Sequence, residues 1–491
     1  MSMKKYFSEF HTFLTTHFFV WVIIPLFRRS IPLDSIEALM WGKYCDFGTN
    51  KHPPLSGFVA EGFYRLFGET NLGIYVASQV CILLGFIYIY KLAGLFLSKE
   101  KAVLSAMLLE GVIYYGFSSM EFNVNVLSLA LWPVTVYYFY RAMNENKLSF
   151  WALTGVFAAL NIWNKYVGGI LLIAMALYLL LTAEGRAQFK HFGPYLTFMI
   201  FIVLLLPHLW WLYEHDFYVL EYFAGRSSSA VKTGLGSIVA AHLLYPLKFA
   251  GAQVLFCLLS LIVYFTAFRK AGKSAQNISA SDKKFLIFTG VVPLLLMIFV
   301  SFAGGVKMKS MWGFPTLYML GILLFVYFPF KLNDTLAAQM RRNVYVAMFL
   351  LAAAALAIIF FNKSEKINFP NKEFAADMTR LWNERYAQKM AYAGGEIWYI
   401  ANVSLYGEDH AKPMAGLRPE INPWFDAGDF AEKGALVIFN DAGAYDNMRK
   451  RYSNLSPRQE YLLEFKNRIG KVKKKTIYYG FLEPQQGKNN D

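Results

Sequence analysis

Two carboxylates stand close together just after the first apolar segment of the chain. Residues 31–42 read IPLDSIEALMWG, in which Pro32 and an Asp34 cap predict the start of a helix. The i, i+3 spacing places Asp34 and Glu37 on one face, and the opposite face is apolar, as in a helix that lies at a membrane surface. Paired carboxylates there suit a general base, or ligands for a metal or a hydroxyl group. The alternative is that Asp34 only caps the helix beside a solvated Glu37.

A cationic pair precedes a double proline in the same loop. Residues 50–57 read NKHPPLSG, and the prolines predict a rigid entry followed by a helix start. Lys51 and His52 would then lie beside a helix N-terminus, where cationic donors favour a phosphate ligand. A prolyl turn with incidental surface charges is the alternative.

Polar side chains also gather at the ends of two later apolar segments. Glu121, Asn123 and Asn125 crowd together where one segment begins, and Lys165 stands in a turn between two others. The carboxylate and the carboxamides could bind sugar hydroxyls or orient an acceptor, and they could equally form a polar helix cap. The lysine could bind an anion or simply extend its amine to the membrane interface.

Four further candidates lie toward the middle of the chain. His208 falls inside an apolar segment, where an ionisable group is costly and more often functional than not, and Asp216 follows it in an aromatic cluster. Lys307 and Lys309 break the usual pattern of cytoplasmic lysines, which suggests an anion partner such as a lipid phosphate. No cofactor is predicted. A divalent metal would be compatible with the carboxylates, but no ligand spacing supports a metal site.

The composition requires a protein that lies mostly in a lipid bilayer. Of 491 residues, 56% are hydrophobic and 16% are charged, whereas soluble domains carry about 25% charged residues. This composition excludes a disordered chain, a coiled coil and a nucleic-acid-binding module. The net charge of +15 is carried mainly between apolar segments and in the tail, which suits anionic lipid headgroups and membrane orientation rather than nucleic acid.

Apolar stretches of roughly 20 residues predict an all-α polytopic membrane protein with about eleven transmembrane helices. Short basic loops alternate with longer ones, so the positive-inside rule places the first long loop, 28–71, and everything after residue 362 outside the cytoplasm. The predicted spans are 11–27, 72–97, 102–118, 124–141, 148–163, 167–183, 194–212, 245–268, 285–303, 312–330 and 344–361.

The last part of the chain has the composition of a soluble protein. Residues 371–392 predict a helix, whereas 395–406 and 433–441 predict strands. The sequence therefore predicts a transmembrane domain over 1–362, which includes the first outer loop with its interfacial helices, and a small α/β domain over 363–491 on the extracytoplasmic side.

The predicted topology places the candidate residues on one side of the membrane. Because the topology rests on cytoplasmic lysines and arginines and not on the candidates, their shared side is independent support for a site at the outer interface. A carboxylate there would activate a hydroxyl acceptor, and cations would hold a lipid phosphate. The residues are Asp34, Glu37, Lys51, His52, Glu121, Lys165, His208, Asp216, Lys307 and Lys309.

In their order along the chain these motifs resemble those of the bacterial membrane glycosyltransferases of the GT-C class, specifically the protein mannosyltransferase-like and aminoarabinose transferase-like families. The first loop is the most distinctive part of the resemblance, and the tail adds little beyond its location. The motifs are the acidic helix 33–42, the Lys51-His52-Pro53-Pro54-Leu55 element, the cluster 121–125, the Lys165-Tyr166 pair and the segment 312–315.

The resemblance implies an inverting enzyme that moves a sugar from a polyprenyl-phosphate donor to an envelope acceptor: lipid A, another glycan or a protein. It also implies a multi-pass protein of the bacterial inner membrane with its active site on the periplasmic face. Asp34 is then the first choice for the catalytic carboxylate, with Glu37 close behind. Many relatives have an adjacent Asp-Glu pair in this helix, whereas Ile36 precedes Glu37 here, so the choice between the two carboxylates stays open.

The remaining roles follow from the same resemblance and from charge. The donor phosphate would be bound by Lys51, His52 and Lys165, with Lys307 and Lys309 as further cations. The substrate or acceptor would contact Glu121, Asn123, Asn125, His208 and Asp216, although Asn123 and Asn125 stand where relatives often have Asp.

A transporter or flippase for a lipid-linked sugar is the alternative from another class, and a noncatalytic membrane scaffold is a third. A transporter would place ionisable residues or broken helices near the middle of the membrane, often in paired halves. In this sequence the ionisable residues gather at one interface and no internal duplication is visible, which favours the enzyme.

Overall fold

A computed structural model describes residues 3–44, 46–219, 225, 234–272, 274 and 277–485, most of them helical. The chain divides into two compact units. The first comprises Met1–Ile24, Lys51–Ser56 and Ile74–Ala355, and the second comprises Pro25–Asn50, Gly57–Gly73 and Leu356–Asp491. Most of the first long loop therefore shares a unit with the end of the chain, although the sequence assigned it to the membrane domain. The division into a transmembrane domain over 1–362 and an extracytoplasmic domain over 363–491 stays a prediction.

Helices make up nearly all of the described chain up to residue 361. Short 3-10 helices cover Ile24–Phe27, Leu108–Gly111, Phe117–Met120 and Ser310–Leu317, and one π-helical turn covers Ala240–Leu244. The α-helices are α1 Met3–Ile23, α2 Leu33–Tyr44, α3 Leu55–Leu66, α4 Asn71–Ala93, α5 Lys99–Met107, α6 Val124–Glu145, α7 Leu148–Asn164, α8 Gly168–Leu181, α9 Ala183–Gln188, α10 Gly193–Glu214, α11 Leu235–Val239, α12 Tyr245–Phe256, α13 Leu258–Lys270, α14 Ala280–Gly290, α15 Val292–Gly304, α16 Leu320–Tyr327 and α17 Asp334–Phe361.

Several predicted spans are interrupted helices. The α-helix in the predicted span 102–118 ends at Met107, and a 3-10 turn and irregular chain follow it. The chain bends by 43° between α14 and α15, and by 57° between the 3-10 helix Ser310–Leu317 and α16. Pro293 lies at the first break and Pro315 just before the second. Proline has no N–H with which to continue the helical ladder.

By length and composition, five of the described helices can cross a membrane, or up to seven if each bent pair is one span. The structure therefore has several apolar helices at predicted spans, and the count of about eleven stays a prediction. The five are Tyr6–Phe27, Asn71–Ala93, Gly193–Glu214, Gly236–Phe256 and Asp334–Phe361.

The second unit contains a five-stranded sheet in the order β2-β1-β3-β5-β4. β1 pairs in parallel with β2 and β3, whereas β5 pairs antiparallel with β3 and β4. β3 is a continuous apolar run buried along its whole length, as expected of a central strand, so the strand predicted over 433–441 is confirmed. The strands are β1 Tyr392–Gly395, β2 Lys412–Ala415, β3 Ala435–Phe439, β4 Gln459–Lys466 and β5 Val472–Leu482.

Along the chain, α-helices precede or connect the strands of this sheet. They are α18 Glu365–Asn368, α19 Asn371–Asn383, α20 Ile397–Tyr406, α21 Ala427–Lys433 and α22 Ala442–Arg451. The helix predicted over 371–392 is confirmed as far as Asn383. The strand predicted over 395–406 is wrong, because α20 is a helix. Its residues from Trp398 to Ser404 are all buried, and a helix buried on every side lacks the periodicity that distinguishes it from a strand.

Helix α2 and the part of helix α3 that belongs to the second unit approach each other through two glycines. A Cβ added to Gly42 would lie 2.1 Å from the carbonyl oxygen of Gly57 and 2.6 Å from the Cβ of Glu61. A Cβ added to Gly57 would lie 2.9 Å from the backbone nitrogen of Gly42. Only glycine permits this backbone contact, which fixes the position of the acidic helix.

Gly42→Ala should therefore force the two helices apart and lower the stability of the protein. The expected loss is about 1–3 kcal/mol, the range for overpacking a buried contact, measured by thermal unfolding of the purified protein in detergent. Gly62→Ala in α3 is the matched control, because nothing lies within 4 Å of its added Cβ, and it should leave the unfolding temperature unchanged or raise it. Equal unfolding temperatures for Gly42→Ala and the wild type would contradict the close contact.

Candidate active site

Helix α2 carries both predicted catalytic carboxylates. The helix begins at Leu33, and the amide of Ile36 donates to the carbonyl of Pro32 over 3.0 Å. Pro32 is therefore the cap residue, and the prediction that Asp34 caps the helix is wrong. Asp34 lies in the first turn, where a carboxylate is favoured by the helix dipole, and is half-buried. Glu37 is only 9% exposed.

The alternative of a solvated Glu37 is wrong, whereas the position of α2 at a membrane surface stays a prediction. All residues from Ser35 to Gly42 are buried, so α2 packs inside the protein on its carboxylate-bearing face as well as on its apolar face. Helix α20 is among its neighbours in the second unit. Taking a carboxylate out of water is costly, and such groups are enriched at functional sites. Burial therefore favours Glu37 over Asp34 as the catalytic candidate.

A cavity of about 460 Å³ lies in the second unit beside Glu37. Its wall is formed by α2, by residues at or just after the carboxyl ends of the three parallel strands, and by Asn50, Ile421, Asn422 and Trp424. Glu37 and Trp41 contribute from the helix, and Glu396, Gly416 and Asn440 contribute from the sheet edge. The second carboxylate in this wall, Glu396, was not singled out in the sequence, because it lies in a segment that was predicted as a strand.

Glu396 is held in place by backbone contacts at the end of β1. Its amide donates to the carbonyl of Ile438 over 2.8 Å, and its Oε2 accepts from the amide of Asn440 over 3.3 Å. Its carbonyl accepts from the amides of Tyr399 and Ile400, which starts α20. Burial raises the pKa of Glu396 above its usual value.

In the first unit, Asn123 caps helix α6. Its Oδ1 accepts from the amides of Asn125 at 2.9 Å and Val126 at 3.3 Å, and its Nδ2 donates to Glu121 Oε1 over 2.9 Å. The cap that the sequence offered as one reading is therefore confirmed. The same contacts orient the Glu121 carboxylate, so the cap is compatible with the other reading, a contact with sugar hydroxyls, which stays a prediction.

Lys165 joins this cluster from the end of α7. It is 7% exposed, and its Nζ donates to Asn125 Oδ1 over 2.5 Å. The neighbouring Asn164 donates from Nδ2 to the carbonyl of Val124 over 2.7 Å and so ties the end of α7 to the start of α6. The amine is buried, which disfavours the alternative that Lys165 only extends to the membrane interface.

Helix α4 fixes the chain that leads into the cluster. The carbonyl of Ser119 accepts from Ser78 Oγ at 2.6 Å and from Gln79 Nε2 at 2.9 Å. Ser78 Oγ also contacts the carbonyl oxygen of Glu121 at 3.3 Å. Backbone carbonyls outside a helix need such partners in apolar surroundings. These bonds therefore determine where Glu121 lies.

A buried polar network behind this segment was missed in the sequence. Glu110 Oε2 lies 2.5 Å from His17 Nδ1, and Glu110 Oε1 accepts from Trp21 Nε1 over 2.9 Å. His17 Nε2 lies 3.2 Å from Oε1 of Gln79, the residue that holds Ser119. Both ionisable residues are fully buried. Their positions inside apolar segments are the signal that could have revealed them.

His208 lies beside the turn that carries the buried lysine. Its Nε2 is 3.0 Å from Tyr166 Oη, and it is 1% exposed. Asp216 is exposed in the turn after α10, with a positive φ of 50°. Lys307 Nζ lies 6.0 Å from the ring centre of Tyr245.

The other predicted cations flank helix starts. Lys51 and His52 are half-buried just before the prolines, and α3 begins at Leu55, so the predicted helix start is confirmed. The carbonyl of Lys309 accepts from the amide of Trp312 over 2.9 Å where the 3-10 helix begins.

Four of the predicted residues thus form a bonded group in one unit, and two lie on one helix of the other. Glu121, Asn123, Asn125 and Lys165 are linked by hydrogen bonds in the first unit, whereas the carboxylates of α2 belong to the second. Within the described part of the chain, no three histidine, cysteine, aspartate or glutamate side chains are grouped to hold a metal ion.

Sequence comparisons give two matches. A family model described as dolichyl-phosphate-mannose-protein mannosyltransferase matches residues 51–211. The lipopolysaccharide core galacturonosyltransferase RgtB of Rhizobium johnstonii is 22% identical over 361 residues, which cover 70% of this chain and 70% of that protein.

The fold is similar to that of a solved protein along almost the whole length of the chain. The crystal structure of ArnT from Cupriavidus metallidurans bound to undecaprenyl phosphate has a TM-score of 0.64 and 12% sequence identity, covering 95% of this chain and 97% of that one. The apo structure of the same protein has a TM-score of 0.61 and 11% identity, with the same coverage.

Taken together, the matches and the apolar helices support a membrane glycosyltransferase similar to those of the GT-C class. The resemblance seen in the sequence motifs is thereby confirmed, and the matches do not favour the transporter or flippase. Within the class, the chain is similar both to the mannosyltransferase family model and to ArnT.

Glu396→Gln should stabilise the protein at neutral pH. Burial is the main cause that raises the Glu396 pKa, against a hydrogen bond from the Asn440 amide and the charge of Lys475. A native pKa above the unfolded value of about 4.3 means that stability falls as the pH rises through that range, because the native state binds the proton more tightly. Glutamine cannot ionise and therefore avoids this loss.

The measurement is the unfolding temperature from pH 4 to pH 7. The variant should unfold at a higher temperature than the wild type at pH 7, and the two should converge toward acidic pH. Glu464→Gln, at an exposed carboxylate on β4, is the control and should show no such dependence. A lower unfolding temperature for Glu396→Gln at pH 7 would mean that the carboxylate stabilises the fold.

Proposed function

We propose that the protein transfers a sugar, with inversion, from a polyprenyl-phosphate donor to an envelope acceptor on the periplasmic face of the bacterial inner membrane. The observation that carries this proposal is the buried amine of Lys165, bonded to Asn125 in the unit that contains the apolar helices. A buried ammonium is stabilised by an anion. A prenyl phosphate is the anion that a membrane-embedded donor supplies.

The phosphate leaves the sugar with the electron pair of the broken bond, so negative charge develops on it in the transition state. Fixed cations stabilise that charge more effectively than water because they need no reorganisation. Lys165 fills this role in the proposal, together with Lys51 and His52 beside the start of α3. Lys307 and Lys309 supply further positive charge for the lipid phosphate.

The acceptor is a hydroxyl group that attacks the anomeric carbon from the face opposite the phosphate, which inverts the configuration. The bond from the acceptor oxygen to carbon forms as the bond from carbon to the phosphate oxygen breaks. A carboxylate of α2 accepts the hydroxyl proton as general base. Glu37 suits the role by its burial, and Asp34 is the second candidate.

The residues around the buried lysine give the substrate its polar contacts in this proposal. A hydrogen bond from Asn123 orients the Glu121 carboxylate, and His208 lies next to Tyr166. Carboxylates, carboxamides and imidazoles are suitable partners for sugar hydroxyls. The residues assigned to substrate or acceptor are Glu121, Asn123, Asn125, His208 and Asp216.

The names of the similar proteins support the donor and the acceptor classes. ArnT has been crystallised with undecaprenyl phosphate, and RgtB is named as acting on the lipopolysaccharide core. By analogy we propose an undecaprenyl-type carrier, and an acceptor among lipid A, another envelope glycan or a protein. No nucleotide-sugar site is needed, because the lipid tail holds the donor in the bilayer.

Loss of the catalytic carboxylate should abolish the envelope modification. In a strain that lacks the protein, mass spectrometry of envelope glycans should reveal a missing sugar mass, which wild-type protein restores. One of the two variants Glu37→Gln and Asp34→Asn removes the general base. That variant should restore about 10²–10⁴-fold less of the modified glycan than the wild-type protein does.

Glu464→Gln is the matched control, since it neutralises an exposed carboxylate of the second unit, and it should restore the modification fully. Each variant is first checked for expression and thermal stability. Full restoration by both α2 variants would remove the proposed base, and an unaltered envelope in the deletion strain would contradict the proposed reaction.

Lys165→Ala and Lys51→Ala should weaken donor binding. Loss of one charge-assisted hydrogen bond, about 1.5–3 kcal/mol, corresponds to roughly a 10- to 100-fold weaker affinity. The measurement is binding of undecaprenyl phosphate to the purified protein in detergent. Lys474→Ala, at an exposed lysine of β5, is the control and should bind as the wild type does. Unchanged affinity in the two variants would assign these lysines to structure.

A further inference from the structure

The cavity beside Glu37 lies at a position where the topology of the sheet itself creates a crevice. The chain passes from β1 through α20 to β2 on one side, and then through α21 to β3 on the other side of β1. Both neighbours run parallel to β1. Connections that leave adjacent parallel strands in opposite directions open a crevice at the strands' carboxyl ends, and ligands of open α/β sheets bind there.

The residues at this edge are held in fixed positions. Gly395 ends β1 with a φ of 120°, and a Cβ there would lie 2.0 Å from the carbonyl oxygen of Ile438. Only glycine therefore lets the amide of Glu396 reach that oxygen. The amide of Gly416 likewise donates to the carbonyl of Gly395 over 2.8 Å. A carboxylate mounted on such a frame is preorganised for a ligand.

The aromatic part of the wall is equally constrained. Trp424 donates from Nε1 to the carbonyl of Pro413 over 2.8 Å and stacks on Tyr44, with ring centres 4.3 Å apart and planes at 19°. Trp424 and Trp41 both line the cavity. Fixed indole rings present flat apolar surfaces, which suit the C–H faces of a sugar ring.

The charges of the wall have one sign. Glu37 and Glu396 are carboxylates, and none of the described lining residues is lysine, arginine or histidine. Such a wall accepts hydrogen bonds from hydroxyl or ammonium groups and repels another carboxylate. Its volume of about 460 Å³ lies within the usual range for small-ligand sites.

We propose that this cavity binds a pyranose ring that is neutral or carries an amino group, with Glu396 as a positioning residue for its hydroxyl or ammonium groups. The inference rests on the proposed function and deepens it, because the sugar would belong either to the donor or to the acceptor. Both sources share the same chemistry, and the two carboxylates of the wall disfavour a uronic acid.

Binding of simple sugars to the full-length protein in detergent tests the site without any transfer reaction. The probes are methyl glucopyranoside, methyl glucosaminide and methyl galacturonide, followed by saturation-transfer NMR. The first two should bind and the galacturonide should not. Glu396→Gln should weaken binding by roughly tenfold or more, the loss of one charge-assisted contact, while Glu464→Gln should bind as the wild type does. Equal binding of the galacturonide would overturn the inference.

A second variant separates binding from folding. Trp424→Leu removes the indole but no charge, and it should also weaken the two favoured probes in protein that remains folded by its unfolding temperature. Glu396→Gln is likewise assayed in protein that its unfolding temperature shows to be folded, so weakened binding in that variant would not come from unfolding. Unchanged binding in both variants would overturn the inference.

The transfer reaction then distinguishes the two sources of the sugar. If the cavity holds the acceptor, Glu396→Gln should raise the KM for the acceptor, and if it holds the donor sugar, the KM for the donor. Sugar binding without any missing envelope sugar in the deletion strain would refute the proposed function and leave the sugar site standing. Normal transfer with both KM values unchanged in Glu396→Gln would refute the site and leave the function standing.

Discussion

Backbone groups that leave a helix in apolar surroundings need new partners, and the first unit depends on how this requirement is met. Helix α5 ends at Met107, and the next α-helix, α6, begins only at Val124. Side chains of other helices donate hydrogen bonds to the backbone carbonyls of this segment. Ser260 Oγ donates to the carbonyl of Leu108, and residues of α4 donate to the carbonyls of Ser119 and Glu121. Because an unbonded carbonyl would cost several kcal/mol in such surroundings, the path of this segment is fixed. The polar cluster at its end is fixed with it.

The carboxylates of Glu110 and Glu396 differ in how well their hydrogen bonds compensate for burial. The Glu110 carboxylate is bonded to His17 and to the Trp21 indole, so its burial is compensated by contacts that also hold three parts of the first unit together. Glu396 has a backbone amide as hydrogen-bond partner, yet burial still raises its pKa. A half-buried carboxylate whose charged form is disfavoured by burial is compatible with a binding site, where a ligand can supply further contacts.

The candidate cations and the candidate carboxylates of the proposed reaction belong to different compact units. The candidate cations Lys51 and Lys165 belong to the first unit, which also contains the apolar helices, and the carboxylates of α2 belong to the second. In the proposed reaction, cations hold the lipid phosphate and a carboxylate accepts the proton of the acceptor hydroxyl. The first 73 residues alternate between the two units. The candidate cation Lys51 and the candidate carboxylates of α2 therefore lie in one short stretch of sequence although they belong to different units.

The sequence by itself determined the class of protein, since apolar length and charge placement depend on composition alone, and the motifs from α2 to Lys165 carried the resemblance. It also determined helix starts that are encoded locally, such as α3 after its prolines. Only the tertiary structure decided that α2 is buried, that 397–406 is a helix and that Glu396 lines a cavity with Glu37. Desolvation and pairing depend on neighbours far along the chain, as for His17 and Glu110, 93 positions apart. Local patterns carry no information about such neighbours.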